Sequence, residues 1–178
     1  GRLTYGPRPG EVERVRELGL DLWIARQLEP ERIPDGDLQE RLATLEILQK
    51  STAEILKGYD PPPEARREIQ KRRAEMEQAS DEQQRALRRE LRQKYLSQME
   101  GSPQQVLEEL QAAKLIRAVH SERQLDEVLV DFWMNHFNVY AQKGPVRFLL
   151  NEYEHKVVRP RAWGRFEDLL LATAESPA

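Results

Sequence analysis

Residues 131–140, DFWMNHFNVY, decide the fold predicted for this chain, because this aromatic run lies on a strongly periodic helix. Apolar and aromatic side chains and one histidine recur three or four residues apart, a spacing that covers more than half of a helix circumference. They are Leu125, Val128, Leu129, Phe132, Trp133, His136, Phe137 and Tyr140. The pattern predicts a central helix that begins after Ser121, which has capping-box spacing to Gln124, and continues to the Gly144-Pro145 step.

The rest of the chain shows the same helical spacing and no strand alternation. Gly19 separates two short helices, and Asp37 begins a longer one that ends at GYDPPP, residues 58–63. Further helices are predicted from Pro103 to about Val119, from the Gly144-Pro145 step to Arg159, and from Trp163 to Ala174. The sequence therefore predicts an all-α protein, an irregular multi-helix bundle.

Residues 64–100 form a charged segment whose composition differs from that of the surrounding helices. Its apolar residues are thinly spaced, and Ser80 with Gln83 repeats the spacing of a capping box. We predict two helices that form a protruding charged hairpin, inserted in a single helical domain of residues 1–178. Pairs such as Glu90 and Lys94 stabilise a helix by only about 0.2–0.5 kcal/mol, so packing or a partner must supply the rest.

Charge and composition exclude several classes of function. The chain has 28 Lys and Arg against 31 Asp and Glu, a net charge of -3, and so lacks the basic excess typical of nucleic-acid-binding proteins. It has no cysteine, which excludes disulfides, thiolate nucleophiles and cysteine-ligated zinc. There is neither a run of about 18 apolar residues nor a glycine-rich phosphate loop, so we expect no membrane insertion and no cofactor.

The last three residues, Ser176, Pro177 and Ala178, have the pattern of a helix N-cap followed by proline at the first helical position. No helix follows in the sequence, so we interpret the chain as the N-terminal part of a longer protein. A frayed tail is the alternative interpretation.

Two groups of side chains on the central helix are candidates for chemistry. His136 lies on the apolar face. It could be a metal ligand, a general base or, in the simplest interpretation, a buried hydrogen-bonding residue. Asp131 and Asn135 share a narrow polar stripe with Glu127 and Asn138, and this stripe either lines a cleft or bonds to another helix. Five residues at about 100° each separate Asp131 and His136 by about 140°, so any site that uses both needs a partner from another segment. His120 and His155 are expected at the surface or at helix ends.

Arginines cluster around Pro160. Arg159, Arg161 and Arg165 could together bind an anionic ligand, or they could pair with nearby acids. Those acids are Glu152, Glu154 and Glu167. Because acidic and basic residues are balanced in this region, pairing is the simpler interpretation.

Acidic residues before Pro160 allow two further interpretations. Arg147, Asn151 and Glu154 follow one another at i, i+4 and i+7, which predicts an intrahelical ion pair. Alternatively, His136 could bind a metal ion together with Glu152 or Glu154, although the chain has no spacing of the HExxH type.

An ordered series of motifs spans about half of the chain, from Leu115 onward and over the first thirty residues. The motifs are YGPRPGEVERVRELGLDLWIARQLEP (5–30), LIRAVHSERQLDEVLVDFW (115–133), NHFNV (135–139), the Lys143-Gly144 step, Tyr153-Glu154, the Arg159-Pro160 step, GRF (164–166) and DLLLATAESPA (168–178). In this order they resemble the large bacterial family called domain of unknown function 1800.

The resemblance implies architecture but no catalytic residues, because the family name records no activity. Family members are generally much longer, which implies that this chain corresponds to their N-terminal third. Many carry export signals, which implies an extracytoplasmic location, periplasmic or secreted. Where members commonly have a histidine after the Arg-Pro step, this chain has Arg161, so a role of that histidine is not expected here.

We therefore expect a helical, non-catalytic module of a larger exported bacterial protein. It would bind the remainder of its own longer chain, or another protein, through the charged hairpin or the rest of the chain. The competing hypothesis is the N-terminal part of a hydrolase-like enzyme whose site combines His136, Asp131 and Asn135 with residues beyond 178. The third hypothesis is a metal-binding domain that uses His136.

Overall fold

A computed structural model describes residues 3–58, 64, 67–68, 70–72, 80–96, 103–141 and 143–178. Within these ranges every regular element is helical and no strand occurs, which confirms the predicted all-α, multi-helix fold. The α-helices are α1 (Glu11–Leu18), α2 (Leu20–Gln27), α3 (Gly36–Leu42), α4 (Glu46–Gln49), α5 (Thr52–Gly58), α6 (Asp81–Leu96), α7 (Pro103–His120), α8 (Gln124–His136), α9 (Leu150–Glu152) and α10 (Phe166–Ala174). A π-helix, Tyr153–Val158, follows α9 directly, and 3₁₀-helices lie at Pro30–Arg32, Gly144–Phe148 and Arg159–Arg161. No helix in this part of the chain combines the length and the apolar character that a membrane span requires.

The predicted break between the first two helices is confirmed. Gly19 has φ +88°, a backbone conformation that glycine adopts readily and that separates α1 from α2. Its N–H donates to Val15 O and its carbonyl accepts the Trp23 N–H, so the backbone groups at the break stay bonded.

The predicted long helix from Asp37 is wrong, because three short helices, α3 to α5, occupy this segment. The chain becomes extended at Leu45 and again at Lys50. At the first break the Ile47 N–H donates to the carboxylate of Glu109 at 2.9 Å, and at the second Ser51 and Glu54 cap α5. Side chains therefore satisfy the helix ends that the breaks create, one of them from 62 residues away.

Helix α7 organises the core, because it contacts α3, α4, α8 and the 3₁₀-helix at Gly144–Phe148. Small apolar clusters replace a single large core. One joins Leu38 and Leu42 of α3 to Ala113, a second joins Ile47 and Ile55 to Val106, and a third surrounds Val130 of α8. The third cluster contains Tyr153, Val158 and Ala162.

Helix α8 differs from its prediction at both ends. The Ser121 hydroxyl accepts the Arg123 N–H and donates to Asp35 Oδ2, so the capping box with Gln124 does not form and the helix begins at Gln124. It ends at His136, well before Gly144, and the Tyr153 hydroxyl donates to the carbonyl of Phe137 just beyond it. Contacts with distant residues therefore set both ends.

The face of α8 that packs inward is also not the predicted one. Gln124, Glu127 and Val130 are buried, whereas Phe132 and Tyr140 are exposed. Part of the predicted polar stripe thus lies inside and part of the aromatic face lies outside. The reason is a set of buried charges that binds Glu127.

The predicted capping box at the start of α6 is confirmed, since the Ser80 N–H donates to Gln83 Oε1 at 3.1 Å and Ser80 Oγ accepts the Gln83 N–H. Arg72 lies 3.7 Å from Glu90 and joins the two predicted arms of the charged hairpin. Residues 65–66, 69, 73–79 and 97–100 of this segment fall outside the described residues. The hairpin and the single-domain boundary of residues 1–178 stay predictions.

Candidate functional site

A buried charge network joins α7, α8 and the π-helix. Arg159 donates to both carboxylate oxygens of Glu127, from Nη1 to Oε1 at 3.1 Å and from Nη2 to Oε2 at 2.6 Å. Its Nε also donates to Glu154 Oε1 at 2.9 Å, and Nη1 of Arg117 reaches the same oxygen at 3.2 Å. Glu127 is only 7% exposed, so these charges are largely withdrawn from water.

The π-helix places two members of this network. Glu154 lies within Tyr153–Val158, and Arg159 follows its last residue. The sequence predicts one regular α-helix here. Instead, the wider π turn and the 3₁₀ turn at Pro160 bring the side chains of Glu154 and Arg159 into contact, and such π segments are frequent at functional sites.

The mutual contacts of the network shift its pKa values. Burial lowers the pKa of Arg159, but Glu127 and Glu154 outweigh this effect and raise it above its ordinary range. Burial likewise raises the pKa of Glu154, but the charges of Arg159 and Arg117 outweigh it and lower the pKa. For Glu127, burial raises the pKa against the pull of Arg159. Burial thus favours the neutral carboxyl of Glu127, whereas the direct contact with the guanidinium of Arg159 favours the charged carboxylate.

A cavity of about 70 Å³ lies beside the network and is lined in addition by Tyr5, Lys114, Asp131 and Met134. It has room for only a few water molecules. The Tyr5 hydroxyl donates to the carbonyl of Glu127 at 3.1 Å, and Lys114 pairs with Asp131. Burial and the nearby carboxylates of Asp131 and Glu127 raise the pKa of Tyr5, so the phenol is neutral and unsuited to act as a base.

The three catalytic candidates of α8 do not converge. Asp131 lines the cavity and pairs with Lys114. Asn135 Nδ2 donates to Asp131, to the carbonyl at 2.8 Å and to Oδ1 at 3.0 Å. His136 lies among aromatic rings instead of beside these two residues. As the predicted angle between them implies, the side chains of Asp131 and His136 lie in two different environments.

His136 is exposed, which corrects the interpretation of a buried core histidine. Its ring lies 4.9 Å from the Phe137 ring, 5.8 Å from Phe132 and 6.3 Å from Phe166 of α10, centroid to centroid. Trp133 completes this group of five rings, which we call the aromatic surface. Within the described residues, neither ring nitrogen of His136 has a hydrogen-bond partner.

The three arginines around Pro160 have separate partners and do not form a common anion site. Arg159 belongs to the charge network, and Arg165 pairs with Glu167. Nη1 of Arg161 donates to the carbonyls of Lys156 and Val157 at 2.8 and 3.1 Å, where it caps the end of the π-helix. The simpler interpretation, local pairing, fits Arg159 and Arg165.

The acids proposed as metal ligands are engaged elsewhere. Glu152 accepts a hydrogen bond from Lys156 at 2.8 Å, and Glu154 binds the two arginines of the network rather than Arg147. Asn151, which lies between Arg147 and Glu154 in the predicted series, donates to the carbonyl of Ile47. Over the described ranges no three His, Asp or Glu side chains are grouped so as to hold a metal ion.

Sequence reasoning missed Arg117 and Tyr5, which complete the site. Arg117 lies among apolar residues in LIRAVH, and a cation in such a stretch could have indicated a buried, paired charge. Tyr5 reaches Glu127 from 122 residues away, and no local pattern reports such a contact.

The family comparison covers the whole chain. A family model described as "Protein of unknown function (DUF1800)" matches residues 1–178, including the segments that build the charge network and the aromatic surface. Neither the curated proteins nor the solved structures gave a significant match. The chain therefore belongs to the DUF1800 family of proteins of unknown function.

Proposed function

We propose that this chain is a helical interaction module whose aromatic surface binds a helix with an apolar face. The observation that carries the proposal is the exposure of aromatic rings around His136, with Phe132 53% and Phe166 52% exposed. Leu170, one turn after Phe166 on α10, and its neighbour Leu171 are also exposed. Large apolar side chains that cluster at a surface are typical of interaction sites.

The charge network supports a binding role rather than a catalytic one. Its acids and bases bond to each other, and the neighbouring cavity holds only a few waters. An enzyme that used His136 with Asp131 and Asn135 would need to rearrange them. Parts of the charged hairpin, the other predicted binding element, lie outside the described residues, including residues 73–79 between its two predicted arms, so the proposal rests on the aromatic surface.

Acids on α10 that form no ion pair with a described residue favour a basic partner. Asp168 and Glu175 lie three residues before and four residues after Leu171, on the same side of α10. Neither acid forms an ion pair within the described residues, whereas Arg165, which directly precedes α10, pairs with Glu167. We propose a basic amphipathic helix as the partner, from the remainder of an exported parent chain or from another protein.

A designed peptide tests this proposal. It carries leucine at i, i+3, i+4 and i+7 and lysine elsewhere, and a second peptide carries glutamate in place of lysine. We expect the lysine peptide to bind more tightly and to shift the indole N–H resonance of Trp133. Phe166→Ser and Leu171→Ser should weaken binding, whereas Leu115→Ser, which removes an exposed leucine of α7, should not.

Two results would contradict the proposal. One is equal binding of the lysine peptide to the wild type and to both serine variants of α10, with those variants folded by circular dichroism. The other is no change at Trp133 at saturating peptide.

A further inference from the structure

A second apolar site lies at the other end of the fold, between the N-terminal segment, α1 and α2. It is a cleft of about 400 Å³, within the roughly 300–1,000 Å³ range of small-molecule sites. Its walls are mainly Val12 and Val15 of α1 and Leu20 and Trp23 of α2. None of these residues belongs to the charge network or to the aromatic surface.

The walls of this cleft are open to a ligand. Leu20 is 61% exposed although it lines the cleft, and Val12 is exposed as well. Two glycines with positive φ, Gly10 and Gly19, lie at the two ends of α1. Gly10 lies where the N-terminal segment meets α1, and Gly19 lies where α1 meets α2, so the backbone at these two glycines shapes the cleft.

The charge available in the cleft is positive. Two ionisable residues line it, Glu11 and Arg16. Glu11 is buried and already accepts the backbone N–H of Arg8 at 2.8 Å and a guanidinium N–H of Arg8 at 3.4 Å. Arg16 is exposed and has no acidic partner within the described residues. An incoming anion would therefore meet Arg16 without competition from Glu11.

We propose that this cleft binds a single-chain anionic amphiphile, with its alkyl chain against Val12, Val15, Leu20 and Trp23 and its carboxylate on Arg16. Burial of the alkyl chain supplies affinity, because the valine, leucine and indole surfaces remove it from water. The guanidinium supplies selectivity for an anionic head group over a neutral or cationic one. This site is independent of the proposed peptide-binding surface.

Decanoate, below the concentration at which it aggregates, is the probe. Trp23, Trp133 and Trp163 give three indole N–H resonances, and we expect a saturable shift of Trp23 alone. Decanol should bind more weakly, and decyltrimethylammonium should bind least. Arg16→Gln should weaken decanoate binding about tenfold, the scale of one charged hydrogen bond, and should leave decanol binding unchanged.

Two leucine variants on α2 separate the cleft from general apolar exposure. Leu20→Ser should weaken both decanoate and decanol, whereas Leu22→Ser should weaken neither, because Leu22 is 58% exposed but does not line the cleft. The proposal is overturned if all three indoles shift together, or if decanoate and decyltrimethylammonium bind equally. It is also overturned if the protein binds anionic phospholipid vesicles but not free decanoate.

Discussion

Arg159, at the end of the π-helix, donates two parallel hydrogen bonds, at 3.1 and 2.6 Å, to the carboxylate of Glu127 on α8. The same guanidinium also binds Glu154, so one cation serves two carboxylates. This bidentate contact explains why α8 turns Glu127 inward and leaves Phe132 outside. A buried carboxylate needs its counter-ion, whereas an exposed ring costs less.

Glu127→Gln should lower the free energy of unfolding by about 3 kcal/mol. Removal of one partner from a buried pair typically costs about 3–5 kcal/mol, and the lower figure applies because Glu154 still neutralises Arg159. The matched control is Glu167→Gln, which breaks the exposed pair with Arg165 and should cost about 0–1 kcal/mol. Urea unfolding followed by circular dichroism measures both, and equal losses would show that the network does not hold α8 in place.

Acid should destabilise the fold through Glu154. Arg159 and Arg117 overcome the effect of burial and lower the folded-state pKa of Glu154 below its ordinary 4.5. A carboxyl with a depressed folded-state pKa stabilises the protein above the unfolded pKa, and that contribution is lost as the pH falls through the folded-state pKa. Unfolding free energies measured from pH 7 to pH 3 should therefore fall below about pH 4.5. The fall should be shallower in Glu154→Gln, and an unchanged slope would contradict this assignment.

His155 should titrate below its ordinary pKa of 6.5. Partial burial lowers its pKa most, Arg117 and Arg159 lower it further, and Glu154 opposes them. Its Nε2 lies 3.2 Å from Nη2 of Arg117, a contact in which neutral imidazole accepts the hydrogen bond. Since the unfolded state binds the proton first, stability should decrease as the pH falls below 6.5. An NMR titration of the imidazole measures the pKa, and a value at or above 6.5 would exclude this contact in solution.

Local patterns predicted the helical class and several helix ends. The 3.6-residue period, the break at Gly19 and the Ser80 and Gln83 capping box depend on residues close in sequence, so they were readable. The prediction of a single helix after Asp37 was wrong because the carboxylate of Glu109 caps a helix break that no nearby residue indicates. The helix predicted from Gly144-Pro145 to Arg159 failed for a related reason, since Glu154 of the π-helix binds Arg117 of the distant helix α7 as well as Arg159.

The candidate site was predicted less well than the fold, because it is built from residues far apart in sequence. Asp131, His136 and Arg159 were identified as chemically interesting, but their partners Lys114, Phe166 and Glu127 come from other helices or from another turn. Helical geometry separated Asp131 from His136 correctly. It could not indicate which of the two faces the interior, since that depends on Arg159.

The Ser121 hydroxyl links the turn between α7 and α8 to the start of α3. It donates to Asp35 Oδ2 at 2.7 Å, and Oδ1 of the same carboxylate accepts the Glu122 N–H at 2.9 Å. Ser121 is fully buried, so Ser121→Ala should cost about 1–3 kcal/mol by leaving a carboxylate oxygen without its donor. Thr44→Ala removes an exposed hydroxyl that follows α3 and donates to the carbonyl of Arg41 in its last turn, and should cost at most about 0.5 kcal/mol. Thermal unfolding compares the two, and a Ser121 variant as stable as the Thr44 variant would count against this link.

Two glycine substitutions distinguish backbone strain from loss of space at the α1–α2 break. At Gly19 no atom lies within 4 Å of an added Cβ, yet φ is +88°. Gly19→Ala should therefore cost about 1–3 kcal/mol from backbone conformation alone. At Gly36 the space is equally open and φ is not positive, so Gly36→Ala, at the first position of α3, should be neutral or stabilising by about 0.4–1 kcal/mol. Urea unfolding of both variants tests this difference, and equal stabilities would mean that the positive φ of Gly19 does not hold α1 against α2.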